Sequence, residues 1–297
     1  MFWVVFSVSL VSTVLAITSL FIYSWLIYGL FVSKKLKKSN SLTLFYARFF
    51  IDAFLSVGNL LMLVIAYIQL SPSRQIIDNN STFIVFFIAW PLVELICIRG
   101  FLVSIITLDR TFAVFFPVSY HNYRAKVPNV AIIVVVFSYS GWENILFWVV
   151  CKYKVNVPPG CITFDCIGNM CYLSYFLGYE MIVHALIALL SLFLVIKIFV
   201  WNKFSNPSEN KDLTKANRLA LIDAFIIFAF DVTPAVIMVK FENVKFDDVG
   251  PILSFTKMGG YAIEGYLVIR ALKRKNEIET ENNKSLSLVQ VKPSHGT

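Results

Sequence analysis

Apolar residues fall in long runs at about residues 5–32, 43–70, 82–108, 129–150, 172–201, 219–239 and 251–269, and polar residues gather in the short stretches between them. A helix needs roughly 20 residues to cross a hydrocarbon core of about 30 Å, and each run is of that order. Unpaired strands would leave backbone polar groups unsatisfied in lipid, so the runs read as helices despite their many β-branched and aromatic residues. The pattern predicts an all-α membrane protein: a seven-transmembrane helix bundle over residues 1–270, then a tail over 271–297 that is basic at first. From Glu277 to Thr297 the tail is polar enough to read as disordered.

Composition agrees. The chain of 297 residues is 58% apolar and 15% charged with a mean hydropathy of +0.73, outside the range of soluble proteins. Its first 33 residues carry no charge, too long an apolar stretch for a cleaved signal and without a basic start, so the first run is a retained span.

A net charge of +8 would raise nucleic acid as a partner in a soluble protein, but its placement gives a different meaning. Lys34, Lys35, Lys37 and Lys38 form the first connection, Arg110, Arg124 and Lys126 the third, and Lys203, Lys211, Lys215 and Arg218 the fifth; the tail adds Arg270, Lys273, Arg274, Lys275, Lys284 and Lys292. The opposite loops hold Arg74, Lys152, Lys154, Lys240 and Lys245. The positive-inside rule therefore puts the N-terminus outside and the C-terminus in the cytoplasm. The partner of these basic clusters is membrane lipid, at about 1 kcal/mol per residue near an anionic leaflet, and no nucleic acid is implied.

With that orientation Cys151, Cys161, Cys166 and Cys171 share one outer loop, where an oxidising setting favours disulfides over a metal site. Three pairings are open to four cysteines. Cys97 stands alone in an apolar run and reads as a buried free thiol. Asn79 and Asn80 begin overlapping glycosylation signals at the outer edge of the third run.

Residues 107–126 carry the most specific motif: Asp109-Arg110 at the end of the third run, then Ala113, Pro117 and a Pro-x-x-Tyr turn to Tyr120. With Asp52 in span two, Trp142 in span four, and Phe228 and Pro234 in span six, this resembles rhodopsin-like G-protein-coupled receptors. The segment Pro-Val-Ser-Tyr-His-Asn-Tyr-Arg at 117–124 narrows the resemblance to the nematode serpentine chemoreceptors of class BC. The chain departs from the wider pattern at Thr111, where a tyrosine is usual, at Val232, where a tryptophan is usual, and at Val85, where an outer cysteine is usual. The Asn-Pro-x-x-Tyr of span seven is absent. Aligned back from Pro234, the family's acidic partner for Arg110 falls at Thr214, beside Asp212.

The resemblance implies a chemosensory receptor of the plasma membrane, in a sensory cilium, whose partners are a small-molecule ligand between the helices and a heterotrimeric G protein. It implies no enzyme and no cofactor. Asp109, Arg110, Pro117, Tyr120 and Pro234 become the coupling and activation residues.

Ionisable groups inside hydrocarbon are costly unless they pair or face a cavity. Asp52 and Arg99 each lie about ten residues, roughly 15 Å, from the cytoplasmic boundary, and the resemblance implies that they are neighbours, so an Asp52–Arg99 ion pair is expected, with Glu264 as a third member. It takes the place of the cation site that rhodopsin-like receptors keep there, and exchange of the two residues is expected to preserve surface expression better than either alanine. Higher up lie Glu94, Asp231 and Lys257, with Glu180 and His184 above them; the resemblance implies a ligand cavity enclosed by spans three, six and seven and so makes these the pocket candidates, with an Asp231–Lys257 bridge as the structural alternative.

Two further readings are carried. Lys257 in span seven admits a retinal-binding photoreceptor, and seven spans admit a ligand-gated ion channel subunit, which would need a continuous polar stripe rather than two separate layers of charge. The carboxylates and histidine are spread over separate spans, which excludes a hydrolase constellation. No internal repeat of the kind used by transporters is visible.

Overall fold

The computed structural model describes residues 2–33, 42–70, 81–124, 126–155, 168–204, 219–222, 224–234 and 252–289. Its long helices are Phe2–Phe31, Thr43–Leu70, Ser81–Phe115, Asn129–Ile145, Met170–Phe204 and Ile252–Val289, with a short helix at Pro117–Arg124. Within them, Trp3–Phe31, Thr43–Ile68, Phe83–Phe115, Asn129–Val150 and Met170–Lys197 are long and apolar enough to cross a membrane. The sixth run shows a shorter apolar helix, and Ile227–Val232 within it is π-helical. In the seventh, Lys257, Gly259, Gly260, Glu264 and Gly265 dilute the apolar stretch.

The first span packs on the second and seventh, the second on the third, the third on the fifth, and the sixth segment on the fifth and seventh; the fourth leans chiefly on the third. The bundle is apolar on its outside. Phe21, Phe54, Phe87, Met181 and Ile182 are more than half exposed, whereas Arg48, Asp52, Glu143 and Glu264 are wholly buried. That inversion suits a lipid solvent, where the outer surface costs nothing to expose and charges must find one another inside. Small residues let the helices approach: a Cβ on Gly260 would lie 2.8 Å from the Cβ of Phe230 in the sixth segment.

Three boundaries differ from the sequence pattern. The third helix runs on to Phe115 through Pro91, so Asp109 and Arg110 ride on its last turns rather than in a connection. The apolar count stops at Leu108 because charge begins there, but Ala113 and Val114 still pack inward. The Pro-x-x-Tyr segment is a helix, not a turn, with Pro117 at its first position, where the missing N–H is no loss. The seventh helix continues to Val289, across residues whose polarity reads as disorder; no Gly or Pro interrupts the stretch from Ala271 to Val289.

At the outer end, a disulfide joins Cys151, which follows the π-helical turn Leu146–Val150, to Cys171 in the first turn of the fifth span, with Cα atoms 5.6 Å apart. Asn169 supports the junction from both sides: its Nδ2 donates to Cys151 O at 2.8 Å, and its Oδ1 caps the helix by accepting from the Tyr172 N–H at 3.0 Å. Lys152 takes the left-handed conformation, φ 48°, to make the turn. Cys161, Cys166, Asn79 and Asn80 lie outside the described residues, as do Asp212 and Thr214.

A bridge closing a loop of 20 residues stabilises by about 3 kcal/mol through the entropy of the unfolded chain. Cys151→Ser and Cys171→Ser should each lower the unfolding midpoint of the purified protein by the same amount, and the double variant by no more than either. Additive losses would show that the two cysteines act separately.

Candidate functional site

The second span carries Arg48 and Asp52 one turn apart, and four-residue spacing sets both side chains on one face. Arg48 Nε donates to Asp52 Oδ2 at 3.2 Å. From the third span Arg99 Nε donates to Asp52 Oδ1 at 2.7 Å, and its Nη2 donates to Glu264 Oε2 of the seventh span at 3.0 Å. The ring closes through an ion pair between Arg48 Nη2 and Glu264 Oε1.

Each cation touches both carboxylates and each carboxylate both cations, with side chains at most 5% exposed. The four charges cancel. Desolvating such a group costs several kcal/mol per ion, and only complete mutual pairing offsets it. Arg99 also lies over the Tyr261 ring, 4.2 Å from its centroid. Sequence reasoning took in Asp52, Arg99 and Glu264 and missed Arg48, whose signal was its four-residue spacing from Asp52.

Above the ring is a cavity lined by Ile96, Arg99, Gly100, Tyr179, Glu180, Val183, His184, Ile227, Lys257 and Tyr261. Of the pocket candidates it gathers Glu180, His184 and Lys257. Lys257 Nζ donates to Glu180 Oε1 at 3.4 Å, and each side chain is about one-fifth exposed, 21% and 20%. This pair is looser and more open than the ring below. Tyr179 closes one wall by donating its hydroxyl to Cys97 O at 2.7 Å. Cys97 is free and buried.

Glu94 is not in this cavity. It faces the fourth span, where its Oε2 accepts from the Ser140 hydroxyl at 3.2 Å and its Oε1 from Asn144 Nδ2. The helix turns about 100° per residue, so Glu94, five residues before Arg99, points about 140° away from it. Equal depth did not mean equal face. Asp231 lies on the π-helical stretch of the sixth segment, and its side chain is outside the described set.

A further buried carboxylate, Glu143 of the fourth span, which the sequence reading missed, accepts from Tyr172 OH at 2.6 Å and Tyr175 OH at 3.2 Å. Tyr175 in turn shares a hydrogen bond of 2.6 Å with Tyr139. Its signal was simply a carboxylate inside an apolar run. The neighbouring Trp142 faces outward at 50% exposure, as does Phe228 at 58%.

At the inner end Asp109 is a hub. Its Oδ2 pairs with Arg110 Nη2 and accepts from Tyr120 OH at 3.2 Å, while its Oδ1 accepts from Arg124 Nε at 2.6 Å. Arg110 Nη2 donates to Tyr120 OH at 2.9 Å. Arg124 continues to Val127 O at 2.7 Å and to Asn129 Oδ1 at the start of the fourth span. Burial pushes the Tyr120 phenol above its ordinary pKa, against the pull of Arg110, so it stays a neutral donor. The short helix Pro117–Arg124 is thus clamped onto the third span, with Arg110 only 3% exposed. Pro234 ends the described part of the sixth segment.

The described residues form an all-helical bundle that is apolar outside, holds a charge-neutral ring at its centre, has a cavity above it and clamps Asp-Arg below it. The sequence model of one family, serpentine type 7TM GPCR chemoreceptor Srbc, matches residues 1–276. The chain belongs to that family, one of receptors rather than enzymes, and is an integral multi-pass membrane protein. Among curated individual proteins none matches it.

Proposed function

We propose that this receptor binds a small molecule in the cavity above the ring and passes the signal to a heterotrimeric G protein. It stands with its N-terminus outside and its C-terminus in the cytoplasm, in the plasma membrane of a sensory cilium. The observation that carries the reading is the double membership of Arg99, which lines the cavity and also binds Asp52 and Glu264. A ligand that shifts Arg99 or Tyr261 alters the contacts joining spans two, three and seven. Asp109 lies ten residues further along the same helix, about 15 Å towards the cytoplasm, so a tilt or turn of the third span reaches the clamp. Allostery needs two states that a ligand binds differently, and a ring and a clamp on one rigid helix supply the linked elements.

The channel reading is weaker, because the four side chains of the ring are at most 5% exposed and offer no polar path through the described part of the bundle. The photoreceptor reading is weakened by the engagement of Lys257 with Glu180.

The test is Arg110→Ala in cells carrying a G-protein reporter. The ligand response should fall more than about tenfold while surface expression and ligand binding hold, since Arg110 touches neither the cavity nor the ring. A current that persists after G-protein inhibition would favour the channel instead.

A further inference from the structure

Tyr179, Glu180, Val183 and His184 of the fifth span form one wall of the cavity. The walls from the third and seventh spans are tied together through Arg99 and Glu264, whereas no member of the charge ring lies on the fifth. The cavity encloses about 20 Å³, the space of roughly one water. An organic occupant therefore needs a wall to give way, and the fifth span is a wall that the ring does not hold.

The outer half of that span is held by a ladder that starts at the disulfide. Tyr172, Tyr175 and Tyr179 are spaced three and four apart and share a helix face. Tyr172, next to Cys171, donates to Glu143 Oε2 at 2.6 Å, and Tyr175 donates to Glu143 Oε1 at 3.2 Å. Tyr175 shares its hydrogen bond with Tyr139, whose ring stacks on Tyr179 with centroids 5.3 Å apart. Tyr179 reaches the cavity and donates to Cys97 O. The top rung is open to reagents, because Cys171 is exposed and Cys151 only half-buried. Lys152, exposed beside Cys151, adds positive charge next to the sulfur that would leave as thiolate, which favours exchange. Its left-handed backbone, φ 48°, is one that a lysine adopts at a cost, and opening the bridge lets it relax.

Resting on the reading of this cavity as the receptor's ligand site, we propose that the Cys151–Cys171 bridge is a redox-regulated latch, which a small dithiol outside the cell opens to free the fifth span and widen the cavity. One thiolate of the dithiol attacks Cys171 Sγ and forms a mixed disulfide with it. The Cys151–Cys171 bond breaks, and its electron pair leaves on Cys151 Sγ, which takes up a proton. The second sulfur of the dithiol then displaces Cys171 Sγ, which is protonated in turn. Two electrons pass to the receptor, and the dithiol departs as a cyclic disulfide. With the bridge open, the outer half of the span is held by hydrogen bonds and packing, which break and re-form. Its inner half stays packed through Ile187 on Val103, so the wall swings from there.

The test uses the purified full-length receptor carrying Val183→Cys in the cavity wall. It is treated with millimolar dithiothreitol, freed of the reagent without air, and exposed to methanethiosulfonate ethylammonium, with labelling at position 183 followed by mass spectrometry. Labelling should become at least tenfold faster after reduction. With Cys151→Ser and Cys171→Ser added, it should be fast from the start and indifferent to dithiothreitol. A bridge that resists the dithiol in the folded receptor, or an opened bridge with labelling unchanged, would overturn the proposal. So would acceleration by dithiothreitol in the double-serine background, which would place the effect on other cysteines. If the serine variants do not fold, the comparison before and after reduction decides, with helix content followed by circular dichroism; loss of the helices on reduction would show a staple and not a latch. In reporter cells, labelling at position 183 should change G-protein output. Faster labelling with output unchanged would count against the cavity as the ligand site and leave the latch standing. Changed output with labelling equally slow before and after reduction would do the reverse.

Discussion

Arg99→Ala should nearly abolish surface expression, the largest effect expected of any single substitution in this chain. The change leaves Asp52 and Glu264 sharing one cation, Arg48, at the centre of the bundle. Breaking a buried pair by removing one partner costs about 3–5 kcal/mol, against a total stability of about 5–15 kcal/mol for a typical domain. Substitution of Asp52 or Glu264 by alanine should be of similar severity, because each would strand two arginines with one carboxylate.

The closed ring reverses the outcome expected of an isolated Asp52–Arg99 pair. Exchange of those two residues, Asp52→Arg with Arg99→Asp, would set arginines at 48 and 52 and carboxylates at 99 and 264. Both like-charge pairs are neighbours in the ring, so the exchange should express no better than a single alanine. Arg48→Met with Glu264→Gln removes one cation and one anion that touch, leaves Asp52 and Arg99 paired at 2.7 Å, and should recover much of the loss. Flow cytometry with an N-terminal epitope tag reads all of these. Full expression of the Asp52/Arg99 exchange would show that the pair stands alone and that Arg48 and Glu264 are bystanders.

Much of this centre was readable from spacing. Arg48 and Asp52 are four apart, Glu180 and His184 are four apart, and Lys257, Tyr261 and Glu264 repeat at four and three, so each set shares a helix face. On the seventh span that stripe carries a cavity residue, a ring that packs under Arg99, and a member of the charge ring, in order of depth. What depth alone obscures is rotation, which is why Glu94 was grouped with Lys257 although it turns to Ser140 and Asn144. Arg48 escaped notice because it lies near the inner end of its run, where arginine so often reaches out to the interface; here the guanidinium turns inward to a second helix.

The helix ends were legible only in part. Charge at Asp109 marks the end of hydrocarbon but not the end of the helix, and the two differ here by about two turns. The pairing of Cys151 with Cys171 had no sequence signature among three possibilities; it follows from the fold bringing the end of the fourth span to the start of the fifth.

Asp109→Asn should raise ligand-independent signalling, by about tenfold in a G-protein reporter assay at equal surface expression. Asp109 is shared by Arg110, Tyr120 and Arg124, and its neutral amide keeps the shape but loses the charge-assisted part of each bond. Hydrogen bonds to charged groups contribute about 1.5–3 kcal/mol, and a shift of about 1.4 kcal/mol changes a population ratio tenfold, so weakening one of them is enough. Tyr120→Phe removes only the hydroxyl that Arg110 and Asp109 share and should give a smaller rise, about threefold. The double variant Asp109→Asn with Arg110→Ala separates release from loss of the effector. If Arg110 is what the clamp restrains, the double variant is silent; if it remains as active as Asp109→Asn alone, the released element is the short helix Pro117–Arg124 and not the arginine.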